Sequence, residues 1–115
     1  MKEGDKLYVV VRKDLEPGAQ GAQSLHAMAE FWATHPTLAY EWHAQSNFVC
    51  WLEVSDEKRL HKLLRHAEEH GVPHAAFREP WLDNSLTAVA LHPTGSHLVR
   101  EFQLALRISA PVAQR

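Results

Sequence analysis

Apolar residues along this chain fall into two spacings, and the alternation between them outlines the fold. Leu7-Tyr8-Val9-Val10-Val11 is an unbroken β-branched and aromatic run. It is too short for a helix and predicts a strand buried on both faces. Turn chemistry in Lys13-Asp14-Leu15-Glu16-Pro17-Gly18 then breaks it. A helical pattern follows, with Ala22, Leu25, Ala29 and Trp32 at steps of three and four. It stops at His35-Pro36, because the residue before a proline is pushed out of the α region. Residues 37–47 have no clean period and read as a short helical turn and a loop, and residues 48–54 read as a second strand.

Ser55-Asp56-Glu57 supplies a helix cap and an acidic first turn. Leu60, Leu63, Leu64 and Ala67 form the apolar stripe of an amphipathic helix, which Gly71 and Pro73 end. His74-Ala75-Ala76-Phe77 predicts a third strand and Leu86 to Leu91 a fourth, closed by Pro93. Thr94-Gly95-Ser96 can cap a last helix with the stripe Leu98, Phe102 and Ala105, and the tail from Ser109 carries no pattern. The order β-α-β-α-β-β-α predicts a single-domain α/β sandwich. Its mixed four-stranded sheet has helices on both faces, since the last two strands are joined by only a short loop. With 115 residues the chain has room for one domain, residues 1–115 with a core of about 6–107.

Composition adds exclusions. The single cysteine, Cys50, cannot form an internal disulfide, and its apolar surroundings suggest a buried, inert thiol. No run of apolar residues is long enough to span a membrane, and the charged opening residues show no secretory signal, so a cytoplasmic location is expected. The formal net charge of −2 argues against a large phosphate-tracking surface. His66 and His70 stand four apart, but the order His-Ala-Glu-Glu-His is not the metalloprotease pattern. A solvated helix face explains the pair, and neither metal nor cofactor is expected. Of the four tryptophans, Trp32 and Trp51 fit the core pattern. Trp42 and Trp81 fall in predicted loops, where they can cover a core edge, stack on a base or meet a partner.

Candidate chemistry gathers at the junction of the first strand and first helix. Ligands in α/β folds collect beyond the carboxyl ends of strands, where helix N-termini offer free amides. Gly18 and Gly21 would allow close backbone approach, although no Gly-Lys-Ser/Thr follows and a triphosphate loop is excluded. The stretch Val10-Val11-Arg12-Lys13-Asp14-Leu15, followed by Gly18, Ala22-Gln23 and His26-Ala27, resembles the opening of the type-2 peptidyl-tRNA hydrolase family. The likeness continues through Phe77-Arg78-Glu79-Pro80 and Ser85 to Leu91, and covers about residues 6–107.

The resemblance implies hydrolysis of the ester joining a peptide to the terminal ribose of tRNA, on the fold just outlined. Asp14, Gln23, His26 and Thr87 occupy matching positions, and Glu79 stands where the family usually carries an aspartate. Ester hydrolysis needs a water activated by a base and a donor for the developing oxyanion. His26 can be the base if Asp14 or Glu79 orients it, with hydrogen bonds from Gln23 and Thr87. That makes His26, Asp14, Glu79 and Thr87 the expected catalytic group. Gln23, Gly18, Gln20, Lys13 and Arg12 are the expected substrate contacts. The family's glycine loop is longer and carries a lysine ahead of Ala-Gln; here Ala19 and Gln20 take its place. A non-catalytic RNA- or protein-binding module on the same fold is the alternative. The resemblance also implies a homodimer.

Overall fold

The computed structural model describes residues 1–107; the tail from Ser109 lies outside them. Strand β1 (Lys6–Arg12) runs parallel to β2 (Phe48–Val54), and helices α1 (Pro17–Thr34) and α2 (Pro36–Gln45) connect them. Helix α3 (Glu57–Glu69) leads to β3 (His74–Glu79), which pairs antiparallel with β4 (Ser85–Leu91). A two-residue strand, β5 (Gln103–Leu104), pairs with β2, so the mixed sheet has five strands in the order β3-β4-β1-β2-β5 rather than four. β1 is central, which accounts for its unbroken apolar run.

The two faces of the sheet carry separate cores. Leu7, Val9, Val11, Ala88 and Ala90 pack under α1 and α2 with Ala27, Phe31 and Trp42. Val10, Leu52, Leu86, Val89 and Leu91 pack under α3 with Leu60, Leu63 and Ala67. Helices on both faces therefore stand as expected, with α3 alone on its side.

α3 begins and ends as its sequence predicts. Asp56 accepts a hydrogen bond from the Arg59 amide at 3.0 Å. Gly71, with φ +64°, takes the left-handed position that lets the Val72 amide reach back to Ala67 O at 2.9 Å.

Four expectations are corrected. Residues 37–47 are mostly helix α2, started by Pro36, and Trp42 lies buried on it with its indole N–H donated to Phe48 O at 2.8 Å. The stripe Ala22, Leu25, Ala29, Trp32 is the outward face of α1: Leu25 is 68% and Trp32 44% exposed. The last predicted helix is a 3-10 segment, Pro93–Leu98, followed by β5. Gly95 passes so close to α3's exit that a Cβ there would meet Val72 Cγ1 at 3.0 Å, and the Ala105 amide is tied to Trp51 O at 2.9 Å. Those contacts draw the chain down onto the sheet. Cys50 is half-buried rather than buried, and burial pushes its thiol pKa up, which disfavours the reactive thiolate.

Candidate functional site

α1 faces the sheet with Gln20, Gln23, Ser24, Ala27 and Phe31, at helical spacing. The polar half of that face is held by hydrogen bonds. Ser24 Oγ donates to Gln20 O and accepts the Trp51 indole N–H, each at 2.7 Å. Gln20 donates its amide hydrogens to Leu15 O at 2.7 Å and Lys13 O at 3.2 Å. It is therefore a buried brace for the loop between β1 and α1, not the substrate contact expected of it.

The loop itself is shorter than the glycine pattern suggested. Pro17 occupies the first helical position, and Gly18 is already in the first turn of α1, exposed and without left-handed torsions. With no side-chain cap at Glu16, the first-turn amides of Gly18 and Ala19 have no partner from the cap residue's side chain.

Gln23 begins a buried polar chain. Its amide nitrogen donates to Glu79 Oε1 at 2.8 Å, and its carbonyl accepts from Thr87 Oγ1 at 2.6 Å. The carboxylate fixes which way the amide points, because only the nitrogen end can donate to it. Thr87 reaches Gln23 through a β-bulge. Phe77 pairs with Ala88 but Arg78 pairs with Leu86, which leaves Thr87 as an extra residue on β4. Ala88 faces α1 and Leu86 faces α3, so the extra residue turns Thr87 toward α1. Thr87 is fully buried, with its hydroxyl bonded to Gln23 rather than open to solvent.

His26 lies one turn beyond Gln23 on the same side of α1. Its ring stacks flat on Phe77, with centroids 4.3 Å apart and planes 8° off parallel. Phe77 and Glu79 are two apart on β3, so α1 meets this strand through two rungs, His26 on Phe77 and Gln23 on Glu79. Among the described residues no hydrogen bond joins His26 to Asp14 or to Glu79. An aromatic face, not a carboxylate, orients the imidazole and leaves both nitrogens open. The sequence marked Phe77 as a strand residue and as part of the family likeness; its place two positions before the end of an edge strand gave no hint of the stack. Trp81, in the 3-10 turn Pro80–Leu82 after Glu79, is 91% exposed.

Arg12 and Asp14 form a unit of their own. Arg12 donates to both Asp14 oxygens, at 2.9 and 3.0 Å, and lies 3.3 Å from Ser85 Oγ and Leu86 O. The hydrogen bond from Arg12 holds the Asp14 carboxyl below its usual range and raises the guanidinium in turn. Glu57 accepts the Leu86 amide at 2.9 Å, which lowers its pKa, and comes within 3.9 Å of Arg12. This cluster pins α3 to the start of β4, on the other side of the sheet from His26. Lys13 is exposed beside it and lines a groove with Arg59.

The model of the family described as peptidyl-tRNA hydrolase PTH2 matches residues 5–108. The chain belongs to that family. The matched span includes both rungs, the bulge at Thr87 and the Arg12–Asp14 pair. Membership supports peptidyl-tRNA hydrolase-like activity, with tRNA as the carrier of the substrate. A comparison with curated proteins finds no match. Among the described residues no helix of this PTH2-family chain is long and apolar enough to cross a membrane.

Proposed function

We propose that this protein hydrolyses the ester between a peptide and the 3′-terminal ribose of tRNA at the cleft where α1 meets β3. The observation that carries the reading is the chain Thr87–Gln23–Glu79, buried at its first two members and half-buried at the carboxylate, beside an exposed, stacked His26. In this reading a water donates a proton to His26 or to the free oxygen of Glu79 and attacks the ester carbonyl. The ester C–O bond breaks, the peptide leaves as a carboxylic acid, and the ribose oxygen recovers a proton. Gln23 holds the Glu79 carboxylate in place. Work on tRNA esters also makes the cytoplasm the proposed location.

The decisive assay incubates pure protein with N-acetylaminoacyl-tRNA and measures acid-soluble release of the amino acid. Wild-type protein should release it, and Glu79→Gln and His26→Ala should each lose about 100-fold or more in kcat, the usual weight of an acid–base group. Both variants retaining full activity would remove this cleft from the chemistry. The second reading, a non-catalytic RNA- or protein-binding module, draws on the absence of any lysine beside Ala22-Gln23. Wild-type protein that binds tRNA without cleaving it would favour that reading.

A homodimer is also proposed. Leu25, Met28, Val49 and Trp51 line an apolar hollow between α1 and β2, and Phe48 and Val49 lie half-exposed where β5 does not cover β2. A second copy would cover this surface.

A further inference from the structure

Between Lys13 and Lys58 the chain contains no lysine or arginine. Helices α1 and α2, which cover one face of the sheet, therefore carry no permanent cation. α3, on the other face, carries Lys58, Arg59, Lys62 and Arg65, all exposed. Its apolar stripe of Leu60, Leu63 and Ala67 is buried, so Lys58, Lys62 and Arg65, at steps of four and three, form the outward ridge. Arg59 links two grooves. One, of about 730 Å³, runs along the ridge; the other, of about 300 Å³, is shared with Lys13 at the end of β1.

Three of the acidic groups nearby are held by hydrogen bonds, whereas Glu101 on the wall of the smaller groove and Glu68 and Glu69 at the far end of α3 are exposed. Asp56 caps the helix, Glu57 is turned to the Leu86 amide and Arg12, and Glu53 accepts the Leu106 amide at 3.2 Å. Arg78 stands opposite Leu86 in the register, which puts it on the α3 side of β3. A net charge of −2 thus conceals an uneven placing of cations, with four on α3 and none on α1 or α2.

We infer that the Lys58–Lys62–Arg65 ridge, continued by Arg59 and Lys13, binds the phosphates of the tRNA body while the ester lies across the sheet at Glu79 and His26. This rests on the hydrolase reading and adds where the carrier nucleic acid runs. The path is short: Glu57, the first residue of α3, is bonded to Leu86, the neighbour of Thr87. A strand leaving the ester therefore crosses only the ends of β1 and β4 to reach the ridge. It also explains how a chain without the loop lysine can hold a polyanion, since counterion release from phosphates supplies affinity wherever cations cluster.

The test compares wild-type protein with the triple variant Lys58→Ala/Lys62→Ala/Arg65→Ala and with the control Lys2→Ala/Lys6→Ala at the opposite end of the sheet. Each is assayed on N-acetylaminoacyl-tRNA, on N-acetylaminoacyl-adenosine, and for direct tRNA binding across a salt series. The triple variant should raise KM for the tRNA substrate about tenfold or more with kcat unchanged. Its binding should lose about 2 from the slope of log affinity against log salt, at about 0.7–0.9 per cation removed. The control should match wild type, and the adenosine ester should be cleaved equally by all three. An unchanged KM and salt slope would overturn the inference, and so would an equal loss on both substrates, which would mean the ridge acts through the cleft. Wild-type protein that cleaves neither ester, but binds tRNA in a way the triple variant loses, would sink the hydrolase reading and leave the ridge standing.

Discussion

Thr87 has one hydrogen to give, and buried in the bulge it gives it to Gln23. Thr87→Val keeps the shape and removes that hydrogen, leaving the Gln23 carbonyl buried without a donor. The cost should be about 1–3 kcal/mol, visible as a fall of several degrees in Tm, together with a lower kcat as Gln23 loses its hold on Glu79. Thr87→Ser should restore both readouts; if it does not, packing of the methyl group matters more than the hydroxyl. The site's missing lysine makes a second residue-level prediction. Ala19 is partly exposed in the first turn of α1, whereas Gln20 is 4% exposed and points inward. Ala19→Lys should lower KM for tRNA substrates severalfold, the phosphate gain outweighing an opposing helix dipole of about 0.3–1 kcal/mol. Gln20→Lys should instead destabilise the fold by about 2 kcal/mol or more, because it buries an ammonium, and leave KM unimproved. Denaturant melts and KM measured on the same two proteins decide between the positions.

At the scale of elements, β1 to β4 and α3 were legible because a single spacing decided each of them, whereas β5 fell inside the expected last helix. Leu60, Leu63 and Ala67 can face only one way, and Asp56 and Gly71 mark the helix ends with their own chemistry. α1 was legible as a helix but not in its orientation. Two sets of residues run along it at helical spacing, and the more apolar set, Leu25 and Trp32 included, faces out. The inward set begins with Gln20, Gln23 and Ser24 because that half of the helix is bonded to the loop, to Trp51 and to the site. Apolarity alone therefore selects the wrong face wherever a helix docks by hydrogen bonds. The same cause hid Trp42, whose indole N–H finds Phe48 O only once α2 is packed. An apolar face left outside is also what the proposed dimer would use. Sedimentation at low micromolar concentration should give about twice the 13.1 kDa chain mass, and Leu25→Glu/Trp32→Glu should return the protein to that of one chain. A wild-type monomer would refute the dimer.

For the molecule as a whole, Arg12, Asp14 and Glu57 tie the end of β1 to α3 and the start of β4. Both carboxyls are held below their ordinary values of 3.8 and 4.5, so their stabilisation is present above those values and is lost as pH falls toward the folded-state pKa. Acid unfolding should therefore set in below about pH 4.5, and Asp14→Asn should flatten that limb while lowering stability at neutral pH. Equal acid midpoints for the two proteins would exclude Asp14 from it. The bulge on β4 has a different sort of reach. It makes the site depend on a count of residues as well as on their kinds. Deleting Thr87 would restore strict alternation along β4 and leave every other residue on its present face, Leu86 toward α3 and Ala88 toward α1. Only the hydroxyl that bonds Gln23 would be gone. The extra residue is thus one that the sheet can do without and the cleft cannot.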